Sequence, residues 1–290
     1  MGELLALLTA VLYSSAVILY KRSVGVVSPF ALNLFKNSVA LVFLAVTAVL
    51  MGQTQVSSIP FRHIALMLAS GVIGIGISDT LFLMTLKRLG ASRTAVVDCL
   101  YSPFVILFSF LMFGETLQTV AIFGGALILG SVLLSAQRGF GEPMPRKIFW
   151  TGCALGVAAM ATVAYAIVMM KPILHTYPLT MMSAIRMMGG LMCLIVSLPF
   201  HPDRKSVYAI LRPQPAWPGM FAGAFLGSYL SIITWLAGFK FTQAGTAALL
   251  NQTSTVIVVL LAALFLGERM TKVKMVAVAM AFAGTAIIFS

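Results

Sequence analysis

The sequence predicts an all-α polytopic membrane protein, with ten transmembrane helices arranged as two inverted five-helix repeats. Three observations carry that reading. Of 290 residues, 60% are hydrophobic and only 9% are charged, whereas a soluble domain carries roughly 25% charged residues. The apolar residues gather into ten runs, each close to the ~20 residues that a spanning helix needs. The second half of the chain also repeats the first, and a repeat governs every later assignment of structure.

The ten runs lie at roughly 3–20, 29–51, 64–86, 92–113, 117–136, 148–170, 178–199, 217–239, 244–266 and 271–289. The first leads into Lys21 and Arg22 without a small-residue cleavage site, so it is expected to be a membrane helix and not a removed leader. The connections are short. Those at 52–63 and 201–215 are rich in Pro, Ser, Gln and charge. Residues 138–147, with two prolines and two glycines in and around them, read as the linker between repeats 1–137 and 148–290.

The repeat shows best in the stretch from Leu86 to Glu115. Shifted by 153 positions it falls on Phe239 to Glu268, with Lys87 on Lys240, Ala95 on Ala248 and Glu115 on Glu268. The same shift sets Asp98, Tyr101 and Ser102 on Asn251, Ser254 and Thr255. Each set has the i, i+3, i+4 spacing of one helix face. Lys36 falls on Arg186 at a shift of 150. Five helices per half is an odd number, so the second half enters from the opposite side. Inverted repeats of this kind hold a substrate site between the halves near the midplane.

Basic residues set the expected orientation. Fourteen of the 19 lysines and arginines fall in connections 1–2, 3–4, 5–6, 7–8 and 9–10, and three on the other side. That bias places the odd-numbered connections in the cytoplasm of a cell-membrane protein and both termini outside. The net charge of +12 therefore reads as an orientation signal, and a nucleic-acid partner is not expected. Cys99, Cys153 and Cys193 lie in apolar runs without metal-ligand spacing. His63, His175 and His201 form no ligand set. No phosphate-binding loop, metalloprotease motif or nucleophile elbow is present. A non-enzyme without metal or cofactor is expected, partnered by the lipid bilayer and a small-molecule substrate, as a monomer or homodimer.

Two ladders of small residues, Gly71, Gly74, Ser78 and Gly219, Gly223, Gly227, Ser231, read as close helix contacts. Four ionisable residues lie inside apolar runs: Lys36, Asp79, Asp98 and Arg186. Each costs at least ~2.5–3.5 kcal/mol at a helix centre, so each is expected to face a cavity or a partner. Counted from the helix ends, Lys36, Asp79 and Asp98 share one layer, and Arg186 belongs to the other beside Asn251. One lysine cannot neutralise two carboxylates, so one acid is left to carry a proton. Asp98 is the first candidate for that coupling role and Asp79 the second. Arg186 is a fixed positive charge for an anionic substrate group. Lys36, Asn251, Asn33, Tyr101 and Trp235 are the other candidate substrate-binding residues. Pro103 is expected to interrupt the fourth helix one turn after Asp98.

The basic residue early in runs two and seven, together with FGE at 113–115 and LGE at 266–268, resembles the drug/metabolite transporter superfamily, EamA type. The likeness covers nearly the whole chain. It implies a secondary transporter that exports or exchanges small polar or amphipathic metabolites such as amino acids, driven by protons. Many such proteins have their termini inside, and the loop charges of this chain depart from that. Other readings stay open at this point: a non-transporting membrane scaffold or lipid-binding component, or a carrier of cations, drugs or sugar phosphates.

Overall fold

The computed structural model describes residues 2–53, 59–114, 119–135, 140, 143–174, 176–202, 204–210, 212, 214–241 and 244–288. Glu115, Arg138, His175 and part of the expected linker (138, 139, 141 and 142) lie outside them. The regular structure of the described residues is helical. In chain order the main rods are α1 (Gly2–Ser23), α2 (Pro29–Leu50), α3 (Phe61–Leu89), α4 (Ala91–Phe113), α5 (Thr119–Leu134), α6 (Arg146–Val168), α7 (Leu179–Ser197), α8 (Trp217–Gly238), α9 (Ala244–Leu266) and α10 (Lys272–Ile288). Among the described residues seven helices are long and apolar enough to cross a membrane, and Ile122–Leu134 and Leu250–Leu266 are shorter apolar stretches. This is a multi-pass membrane protein.

Local sequence explains the helix limits. Ser28 caps α2 by accepting a bond from the Ala31 N–H at 3.3 Å, and Pro29 follows at the first helical position. Gly90, at φ +82°, makes the abrupt turn between α3 and α4. Pro103 lacks the N–H that would bond the Cys99 carbonyl, and α4 breaks there: its first segment ends at Asp98 and its second begins at Tyr101. The match of Pro103 in the second repeat is Val256, and α9 runs unbroken.

Three features differ from the sequence expectation. The connection at 201–215 contains a short helix, Arg204–Ile210. Rods α3 and α8 are not plain α-helices, because each contains a π-helical segment, Val72–Ile77 and Ala224–Leu230. These occupy matching positions in the two repeats, and π turns leave backbone groups in need of other partners. Finally, Gly219 has nothing within 4 Å of where a Cβ would stand, so it is not a contact residue of its ladder.

The other small residues do bring helices together. A Cβ on Gly71 would stand 1.8 Å from the Arg186 carbonyl oxygen, and one on Gly189 would stand 2.2 Å from that of Leu68. The backbones of α3 and α7 therefore touch, which only glycine allows. Packing also crosses between the repeats. Rod α1 lies against α8 and α9, and α6 lies against α3 and α4. The first helix of each repeat has thus joined the other repeat. The result is two bundles, α3–α4–α6 and α1–α8–α9, bridged where α2 and α7 pack together.

Candidate functional site

A cavity of about 310 Å³ lies between the two bundles. It is lined by Lys36, Asp79, Asp98, Tyr101, Arg186, Trp235 and Asn251, among others. Its volume sits at the lower end of the ~300–1,000 Å³ of small-molecule sites. Asn33 alone among the candidate site residues does not line it. Asn33 is fully buried, and its amide nitrogen donates to the Ile75 and Gly76 carbonyls at 2.9 and 3.3 Å and to Thr80 Oγ1 at 2.9 Å. Its role is to satisfy the π turn of α3, behind the cavity wall.

That amide starts a chain of polar contacts. Asn37 donates to Asn33 Oδ1 at 2.7 Å, and Lys36 Nζ donates to Asn37 Oδ1 at 3.2 Å. Lys36 also forms an ion pair with Asp79 and lies 5.8 Å from the ring centre of Tyr20. Lys36 and Asp79 thus neutralise each other inside one repeat. Asp98 is left to Tyr13, whose hydroxyl donates to it at 3.1 Å.

Arg186, set in the other layer by the count from helix ends, lines the same cavity as Lys36, Asp79 and Asp98. It stands where α3 and α7 cross closely. At that crossing Arg186 Nε donates to Ser70 Oγ at 3.0 Å, and Ser70 in turn donates to the Ala166 carbonyl of α6 at 2.6 Å. Gly74 leaves room for the guanidinium, since a Cβ there would stand 3.4 Å from Arg186 Nη2. Among the described residues neither Arg186 nor Asp98 is in an ion pair. Asn251, the repeat match of Asp98, has both side-chain polar atoms buried without a hydrogen-bond partner.

Sequence reasoning passed over Tyr13, Tyr20 and Ser70. Nothing in the local pattern of α1 marks Tyr13 or Tyr20, because their partners belong to other helices. Ser70 had one available signal: it lies next to Gly71 in the small ladder of α3.

The cavity is unequal at its two ends. On the side of the chain termini its lining reaches Trp235 and Ile167, next to the last residue of α6. Towards the basic connections it stops at Tyr20, whose hydroxyl donates to the Gly223 carbonyl at 2.7 Å. Beyond lie Leu83, Leu86, Leu89 and Val96, all buried. Alongside the cavity α4 meets α9, where Gln252, itself a lining residue, donates through Nε2 to Cys99 Sγ at 2.8 Å and Thr255 Oγ1 donates to the Ala95 carbonyl at 3.4 Å.

Comparison with known proteins agrees with this architecture. No functionally curated protein matches the sequence. A protein of known crystal structure superposes with a TM-score of 0.71 at 18% identity, covering 99% of this chain and 95% of its own. At that identity the likeness shows the fold alone. The model of the EamA-like transporter family matches residues 1–137 and again residues 150–290. With both halves matched, the chain belongs to the EamA-like transporter family, of the drug/metabolite transporter superfamily.

Proposed function

We propose that this protein is a ten-span secondary transporter with inverted repeats, which carries a small zwitterionic metabolite such as an amino acid and couples its movement to protons. One observation carries the reading: Arg186 and Asp98 face a single cavity, with opposite charges and no ion pair. A guanidinium takes a carboxylate through two parallel hydrogen bonds. A carboxylate with only a phenol for company takes an ammonium group or a proton. The Lys36–Asp79 pair is already neutral, so it adds no net charge to the substrate. That leaves one free base, which suits a monoanionic group better than a phosphate ester. Asn251 supplies a donor and an acceptor beside them, and Tyr101 and Trp235 supply apolar wall. A scaffold without transport has no need of uncompensated charges at such depth.

Counterflow tests this reading. Proteoliposomes preloaded with an unlabelled amino-acid mixture are expected to take up labelled zwitterionic amino acid by exchange, and to exchange the matching methyl ester poorly. Absence of exchange for every zwitterion, or equal exchange of the ester, overturns the reading.

The loop charges further support both termini outside. With the native cysteines removed, an impermeant thiol reagent added outside is expected to label a cysteine placed after Ser290 and to miss one placed at Gly139. The reverse pattern overturns that orientation.

A further inference from the structure

Resting on the transport reading, we infer that Ala91, Ser92, Glu268 and Lys274 form a charge latch that locks one end of the cavity and sets the resting state open at the other end. The latch joins the two bundles at the side of the basic connections. Glu268 follows α9, and its Oε1 accepts the Ala91 N–H at 3.0 Å, capping the first turn of α4 from across the cavity. Its Oε2 accepts the Ser92 hydroxyl and lies 3.1 Å from Lys274 Nζ. Lys274 also donates to Ser92 Oγ at 3.1 Å. Gly90 makes room for the carboxylate, because a Cβ there would stand 3.2 Å from Oε1.

The electrostatics favour this arrangement. A helix N-terminus carries partial positive charge and free N–H groups, which a carboxylate satisfies. Lys274 is only 1% exposed, and a buried ammonium must find compensation. It has Glu268, Ser92 and the ring of Phe140, whose centre is 5.7 Å from Nζ. Arg93 covers the same ring at 5.3 Å. Phe140, which lies within the segment joining the repeats, is thereby held in the latch, and Thr271 Oγ1 donates to its carbonyl at 3.4 Å. Partial burial pushes the Glu268 carboxyl up, but the bonds from Ser92, Lys274 and Ala91 together hold it below the usual carboxylate range. A second tie runs alongside: Lys21 of α1 donates to the Leu86 and Lys87 carbonyls at the end of α3, at 3.0 and 3.3 Å.

The two ends differ in sequence. Glu268 has a repeat match in Glu115, but Ser92 and Lys274 match Gly245 and Ala121. The hydroxyl and the cation of the latch are therefore not repeated at the matching sequence positions. In an inverted-repeat transporter the two ends close alternately, so a charge lock at one end biases the equilibrium towards closure at that end.

The test reads accessibility and needs no substrate, so it can fail while counterflow succeeds, and the reverse. Cys99, Cys153 and Cys193 are replaced, and a cysteine is placed at Leu86, fully buried near the latched end of α3, where Lys21 bonds its carbonyl. An impermeant maleimide is added from that face. Labelling of L86C is expected to be slow with the latch intact, and about tenfold or more faster with E268Q or K274M, because each leaves a partner uncompensated in the closed state. With the same latch variants, a cysteine at Trp235, towards the chain termini, is expected to label more slowly from the opposite face. If E268Q does not fold, K274M decides, since methionine keeps most of the side-chain length and buries no charge. Unchanged L86C labelling in a folded latch variant overturns the inference.

Discussion

Asp98→Asn is expected to reduce pH-gradient-driven uptake to the level of empty liposomes while leaving substrate exchange intact. The reasoning begins with the charges around it. Lys36 is committed to Asp79, and the only hydrogen bond to Asp98 among the described residues comes from Tyr13 at 3.1 Å. A carboxylate so placed is compensated by a proton or by a cationic group entering the cavity. Asparagine keeps the shape and an acceptor for Tyr13, and copies the uncharged state permanently. It is also what the second repeat already has at Asn251. Exchange only requires the loaded carrier to reorient, so it survives, whereas net movement against a pH gradient requires protons to load and leave. The check is uptake into proteoliposomes with an imposed gradient, beside counterflow on the same preparation. Gradient-driven accumulation equal to wild type removes Asp98 from the coupling role. Asp79→Asn gives a different result. It strands Lys36, whose side chain is 6% exposed while that of Asp79 is 30% exposed, and breaking a partly buried pair costs up to ~3–5 kcal/mol. The expected sign is loss of folded protein, read as yield and thermal midpoint in detergent.

Arg186 gives the second large effect. Arg186→Gln is expected to weaken affinity for a zwitterionic substrate by ~1.5–3 kcal/mol, the loss of a charge-assisted bond, or roughly 10- to 150-fold. Arg186→Lys should fall between the two, because it keeps the charge but not the planar fork. Insertion should survive both, since removing a charge from a membrane helix eases partitioning. Ser70→Ala sharpens the test. Ser70 holds the guanidinium through Nε and is anchored on the Ala166 carbonyl, so its removal should weaken carboxylate binding by less than Arg186→Gln. Ser70→Thr, which restores the hydroxyl, should recover it. The measurement is competition by a zwitterion and by its methyl ester against labelled substrate. A merely structural role for Ser70 would shift both competitors alike, whereas a positioning role shifts only the carboxylate. If Arg186→Gln folds, inserts and keeps wild-type affinity, the substrate does not use Arg186.

How much of this was legible in the chain depends on the range of each interaction. Helix formation is local, so apolar runs located the rods. Pro103 placed the break in α4, because losing one N–H acts within a single turn. The repeat likewise needed only comparison of one half with the other. The four ionisable residues inside apolar runs stood out because charge in an apolar run is costly wherever the run ends up. The partnerships were another matter. Helix α1 packs with the second repeat and α6 with the first, so Tyr13 reaches Asp98 across 85 positions of sequence. Arg186 joins the other charges because glycines let two backbones touch. Asn33 looked like a binding residue and turned out to serve the π turn, whose existence no periodicity announced. The sequence by itself determined which residues carry charge and which stretches are helical, because those follow from residue chemistry and short-range backbone bonding. Which charges neutralise each other and which remain for a substrate were decided only by tertiary structure, because Coulomb and hydrogen-bond energies depend on distances that chain order does not contain.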